Sequence, residues 1–122
     1  MNKKKIGRKL SRKTDQRKAL LRSLANNLIL KEKITTTSAK AKETSRFVEK
    51  LINHAVLSLK DESVALAKTK ILSGFLNPKA VKKLKNEIAP RYKERHGGYT
   101  RIIKKGIRLS DSAKISIIEL LK

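Results

Sequence analysis

Gly97-Gly98-Tyr99-Thr100-Arg101-Ile102-Ile103-Lys104-Lys105-Gly106-Ile107-Arg108-Leu109 is followed by Ser110-Asp111-Ser112-Ala113, and then by Lys114-Ile115-Ser116-Ile117-Ile118-Glu119-Leu120-Leu121. Tyr99 to Leu109 and Lys114 to Leu121 are rich in isoleucine and lack the three-and-four spacing of a helix. Ser110-Asp111-Ser112 between them is turn-forming, because short polar side chains bond back to their own backbone there. The stretch reads as an antiparallel hairpin. A β-branched run, Ile34-Thr35-Thr36-Thr37, lies far upstream and supplies a third strand.

Between that early strand and the hairpin the chain is helical. Thr14 caps a first helix with Asp15 in its opening turn, and Leu21, Leu24, Ala25, Leu28 and Ile29 form its apolar stripe. Lys31-Glu32-Lys33 ends it. A second helix starts near Ser38, with Phe47, Val48, Leu51, Ile52, Ala55, Val56 and Leu59 along one face. Asp61-Glu62-Ser63 opens a third, whose Val64, Ala67, Ile71, Leu72 and Phe75 are expected inside. Asn77-Pro78 opens a fourth, since asparagine caps well and proline fits the first helical position. Val81, Leu84 and Ile88 are its apolar face, and Pro90 is expected to stop it. The fold class is α+β: about four helices and a small three-stranded sheet, from strand 34–37 and the hairpin 99–121. Residues 1–13 show no period and are read as an extended basic arm, with 14–122 as a single domain.

Charge narrows the function. The chain holds 32 Lys+Arg against 10 Asp+Glu in 122 residues, a net charge of +22. Ten of those cations face one acid, Asp15, in the first 22 residues. Self-repulsion on this scale calls for a partner that neutralises it, and closely spaced phosphates of a nucleic acid do so by releasing counterions. There is no cysteine, which removes disulfides, thiolate metal sites and cysteine nucleophiles. No apolar run reaches the length of a membrane span, and the N-terminus lacks the apolar segment of a secretory signal. A basic start also fits an organellar transit peptide, although here lysine dominates and the segment runs straight into a helical pattern.

Catalytic signals are weak. His54 and His96 are far apart and show no metal-ligand spacing, and His54 sits at the edge of an apolar stripe, where a partly exposed structural histidine is the plain reading. Asp61-Glu62 suits the dipole of a helix start better than acid–base work. A second basic cluster says more. From Arg91 to Arg108 there are seven cations (Arg91, Lys93, Arg95, Arg101, Lys104, Lys105, Arg108) and one acid, Glu94. Gly97-Gly98 inside it permits a tight turn with amides aimed at a phosphate, and flanking arginines grip phosphate oxygens in pairs. Tyr92 and Tyr99 are open to two readings: stacking on unpaired bases, or core residues beside a strand-entry turn. Aromatics make up 3% of the chain, too few for a binder built on stacking platforms. Contacts to phosphate and shape, on folded RNA or on duplex DNA, suit the composition better.

Several runs carry a family resemblance. Pro90-Arg91-Tyr92, Arg95, Gly97-Gly98-Tyr99-Thr100-Arg101-Ile102, Lys104, Gly106, Arg108 and Asp111 resemble the signature of a bacterial ribosomal family, the seventeenth protein of the large subunit. Gly7-Arg8-Lys9-Leu10 with Arg12, Arg17 and Ala19 is similar too, as are Ile34 to Thr37, Lys40-Ala41-Lys42-Glu43 and Ile118-Glu119-Leu120. Asn2-Lys3, Gln16 and Ser110 depart from the pattern. The resemblance implies a non-enzymatic protein of the cytoplasmic ribosome that binds large-subunit ribosomal RNA near the polypeptide exit tunnel, beside neighbouring ribosomal proteins. It implies no cofactor, catalytic residue or metal, no membrane and no small-molecule substrate. The RNA-binding residues expected on this reading are Lys3, Lys4, Lys5, Arg8, Lys9, Arg12, Lys13 and Arg17 in and beside the arm. The second face comprises Arg91, Arg95, Gly97, Gly98, Tyr99, Arg101, Lys104 and Arg108. A small DNA-architectural protein and an RNA-processing enzyme are the rival readings.

Overall fold

The computed structural model describes residue 10 and residues 12–121. The chain runs α1 (Thr14–Lys31), β1 (Lys33–Thr37), α2 (Ser38–Lys60), α3 (Glu62–Phe75), α4 (Pro78–Lys83), a π-helical turn (Leu84–Ile88), α5 (Ala89–Arg91), β2 (Thr100–Ile107) and β3 (Lys114–Leu120). Helices and a three-stranded sheet form the α+β domain that the sequence implies. Expected arm residues Lys3, Lys4, Lys5, Arg8 and Lys9 lie outside the described residues.

The sheet is antiparallel throughout, in the order β1-β3-β2, so the last strand is the central one. Ile118 pairs with Ile34 on one side and Ile102 on the other. Alternation sets the faces. Ser116, Ile118 and Leu120 are buried against the helices, while Ile117 and Glu119 point to the open side with Arg101 and Ile103 as partners. One residue, Lys105, is extra between the paired Lys104 and Gly106, and Gly106 takes φ 138 there. That bulge bends β2 where its tail leaves the helices.

The core joins α1, α2, the helical segment 78–91 and the inner sheet face. Ala25, Leu28, Ile29, Val48, Ile52, Leu84, Ile88 and Ile118 have no solvent exposure. α2 supplies the longest buried stripe (Val48, Leu51, Ile52, Ala55 and Val56), as its spacing demands.

Three local expectations differ. The residue flanking α1 is Lys13, and Thr14 is already helical; Lys13 makes no side-chain cap bond, and its carbonyl accepts from the Arg17 amide at 2.9 Å. In α3 Leu72 alone is buried, while Ala67, Ile71 and Phe75 are exposed and Val64 is half-buried. That helix lies along α2 and touches α4, so no layer covers its other side. Asp61 does cap it, accepting from the Ser63 amide at 2.9 Å. Pro90 does not stop the fourth helix, which continues to Arg91. A proline ring collides with the carbonyl four residues back, here that of Asn86. The π turn just before it widens the ladder, with the Ala89 amide reaching Leu84 instead of the carbonyl one residue nearer.

Candidate nucleic-acid interface

The segment between α5 and β2 is held by its two tyrosines. Tyr92 and Tyr99 are each 2% exposed, with ring centroids 5.0 Å apart and tilted by 45°. The Tyr92 hydroxyl donates to the Leu121 carbonyl, and the Tyr99 hydroxyl donates to the Arg95 carbonyl at 3.2 Å. Burial pushes both phenols above their ordinary pKa, so they stay protonated donors. Of the two readings open for Tyr92 and Tyr99, this packing fits core residues beside a strand-entry turn.

What the tyrosines pin is the turn. Gly97 (φ 152) and Gly98 (φ 63) are exposed between them. A Cβ at either position would meet nothing within 4 Å, so it is the left-handed backbone, not crowding, that calls for glycine. Arg95 donates through Nε to the Gly97 carbonyl at 3.1 Å and caps the turn with a cation.

An open cleft of ≈ 610 Å³ borders this turn, lined by Arg46, Glu49, Lys50, Asn53, His96 and Gly97, with Tyr99 at its base. Arg46, Lys50 and Asn53 come from the exposed flank of α2, and sequence reasoning missed them. Their signal was the polar period of α2, but which flank of a helix meets the turn is a tertiary fact. Glu49, the acid in the wall, is occupied: the Thr100 hydroxyl and amide both donate to it, at 3.1 and 3.4 Å. The net lining is basic.

The other expected residues divide. Gly97 lines this cleft, and Gly98 and Arg95 belong to the same turn. Lys104 lies further along β2 in a second cleft. Arg101 points to the opposite face of the sheet, 3.5 Å from Glu119. Arg91 is turned toward its own chain. It pairs with Glu32, which also lies 3.5 Å from the Lys83 ammonium. Glu32 sits in left-handed backbone (φ 63) just past α1, and Lys83 donates to the Leu30 carbonyl at 2.8 Å. The Arg91 hydrogen bond, with the charges of Arg91 and Lys83, holds the Glu32 carboxyl below its usual range against the opposing effect of burial. Arg91 thus ties α5 to the end of α1. Among the arm residues, Arg12 donates to the Leu10 carbonyl at 2.7 Å, Lys13 is exposed and Arg17 is half-buried. The expected cations among the described residues thus fall in separate places, not on one surface around the glycines.

Arg108 stands at the hairpin tip, where it grips Asp111 with two bonds of 3.0 and 2.7 Å. Asp111 also accepts from the Ala113 amide, and Ser112 (φ 58) takes the left-handed position of the turn. The Arg108 hydrogen bond, then the Ala113 amide, lowers the Asp111 pKa to about 2. A depressed carboxyl stabilises the turn above its ordinary pKa and loses that contribution as pH falls through the folded value. Carbon-detected NMR titration is expected to find the Asp111 midpoint near 2; a midpoint in the ordinary carboxylate range would show that the pair does not persist in solution.

His54 is half-buried on α2 and its Nδ1 is buried without a partner; desolvation, then the Lys68 charge, lowers its pKa. Among the described residues no three His, Asp or Glu side chains converge to hold a metal, and no helix is long and apolar enough to cross a membrane. What the site offers is positive charge, exposed amides and hydroxyls. That chemistry suits contact with a polyanion.

The chain is similar to known proteins along most of its length. The family described as ribosomal protein L17 matches residues 20–121, from the middle of α1 through the whole sheet. The chain belongs to the ribosomal protein L17 family. The large ribosomal subunit protein bL17 of Pelobacter propionicus is 50% identical over 119 residues, covering 97% of this chain and 89% of that one. The bL17 protein of Staphylococcus aureus strain JH9 is 48% identical over 93% of this chain and 98% of its own, and that of Fusobacterium nucleatum is 44% identical over 99% and 100%. As an L17-family member the chain is a ribosomal protein of the large subunit, not a member of an enzyme class. The Gly97–Gly98 turn, the buried tyrosines and the sheet order are the fold on which its charges are mounted.

Proposed function

We propose that this protein is a structural constituent of the large ribosomal subunit in the cytoplasmic ribosome, where it binds and stabilises large-subunit ribosomal RNA near the polypeptide exit tunnel, beside neighbouring ribosomal proteins. What carries the reading is the similarity, 44–50% identical over nearly the whole chain, to proteins named for that subunit. The physics supports it. A charge of +22 on 122 residues disfavours a free compact protein and favours one whose cations face phosphates. In this reading the cations of the arm and the turn around Gly97 and Gly98 are two separate grips on one RNA.

Sedimentation through a sucrose gradient tests it. The protein is expected in the large-subunit peak and absent from the free pool; recovery only at the top of the gradient would remove the proposal. Competition between duplex DNA and large-subunit RNA fragments separates it from the DNA-architectural rival, since salt dependence alone is shared by both.

A further inference from the structure

A second basic cleft lies along β2 from the glycine turn. It holds ≈ 460 Å³ and is lined by lysines from three elements, Lys42 of α2, Lys104 of β2 and Lys114 of β3, with Ser38, Ser116 and isoleucines completing the wall. No carboxylate lines it. Ser38 and Ser116 lie with their hydroxyls 2.6 Å apart. That contact uses one of their two hydrogens; Ser116 is buried, and Ser38 is the half-buried hydroxyl nearer the solvent. Ile102, Ile107 and Ile115 give the cleft an apolar floor.

The two clefts are joined by a row of side chains. Lys42 lines this one, and Arg46 and Lys50 line the one beside the glycine turn. Residues four apart lie on one helix face with Cβ atoms about 5–6 Å apart, so the three cations form a row about 12 Å long from Lys42 to Lys50. All three are exposed. Of the neighbouring acids, Glu49 is bound to Thr100, and Glu43 is buried and lies 3.8 Å from Arg46, whose side chain stays largely exposed.

We propose that Lys42, Arg46 and Lys50, together with Lys104 and Lys114, form a track that holds successive phosphates of one RNA strand, with a ribose seated on the isoleucine floor of the Ser38–Ser116 cleft. This rests on the RNA-binding reading above and gives it a surface of which only Lys104 belongs to the basic runs of the sequence. Phosphate is favoured over the carboxylates of an acidic protein on two grounds. Lysine is a point charge suited to phosphates spaced along a strand, and four of these five cations are lysines. The mixed floor of isoleucine and hydroxyl suits a sugar edge with its 2′-hydroxyl.

Binding of the full chain to protein-free bacterial large-subunit RNA, measured across a range of KCl concentrations, tests the track. The Lys42→Ala/Lys114→Ala variant is expected to lower the salt slope by about 1.5–2 and to weaken binding evenly across RNA sequences; adding Lys50→Ala lowers the slope by about one more. These positions are exposed, so circular dichroism and melting should match the unsubstituted protein. A steep unsubstituted slope left unchanged by the variants overturns the track while leaving RNA binding intact. A flat slope for the unsubstituted protein removes the RNA-binding reading itself. Unchanged RNA binding with lost retention of another ribosomal protein in the large subunit would assign the row to a protein partner, and that too overturns the proposal.

Discussion

Ile118→Ala is expected to lower the unfolding free energy by about 2–5 kcal/mol, while Ile103→Ala costs under about 1 kcal/mol. Both are isoleucines of the same sheet. Ile118 has no exposure and lies in the central strand, paired with Ile34 and Ile102, on the face that packs on the helices. Removing three carbons there leaves a hole bounded by neighbours on both flanking strands, and a central strand cannot shift to close it. Ile103 is 41% exposed, is paired with Ile117, and points to the open face. Truncating it gives up part of one cross-strand contact and creates no cavity. Urea unfolding of the two variants measures the difference. Equal losses would mean that the outer face is also packed, and that the inside and outside of the sheet have been misassigned.

The pair also shows where sequence reasoning reached its limit. Isoleucine density and the Ser110–Ser112 turn were enough for a hairpin, and a β-branched run was enough for the third strand. The doubled isoleucines, 102–103 and 117–118, place an apolar side chain on each face, so alternation alone could not say which face was buried. The same limit governs α3. Its stripe was legible, but its burial depends on a layer that the fold does not build, and Phe75 meets the edge of Phe47 and the guanidinium of Arg22 at the surface. Pro90 looked like a stop because its local cost is plain, whereas the π turn that accommodates it belongs to the helix before it.

For the candidate site the balance is similar. The positive φ of Gly97 and Gly98 was readable from the residue type, and the two readings of the tyrosines were separated only by packing. Charge runs are visible in sequence because they are contiguous. A row spaced four apart on a helix, such as Lys42, Arg46 and Lys50, is diluted by its buried neighbours and appears once the flank beside β2 is known. Arg91 shows the converse. It sits in the basic cluster, yet its guanidinium is spent on Glu32.

Deleting residues 1–13 is expected to leave a folded domain whose affinity for large-subunit RNA falls on the order of a hundredfold or more near 0.1 M salt. The folding half follows from where the core begins. Among the described residues the first fully buried side chain is Ala25, and Lys13 supplies α1 with a backbone carbonyl and no side-chain cap. Losing that flank costs at most about 1 kcal/mol, and a cooperative melt should persist. The binding half follows from charge. The deletion removes Lys3, Lys4, Lys5, Arg8, Lys9, Arg12 and Lys13, seven cations and no acid. If each neutralises one phosphate, the slope of log affinity against log salt falls by about 5–6, several times the change expected from the cleft lysines. The two surfaces are separate in the chain, so their losses should add. A truncation that binds as tightly as the full chain would place the affinity in the folded domain. Loss of the melting transition would instead make residues 1–13 part of the core.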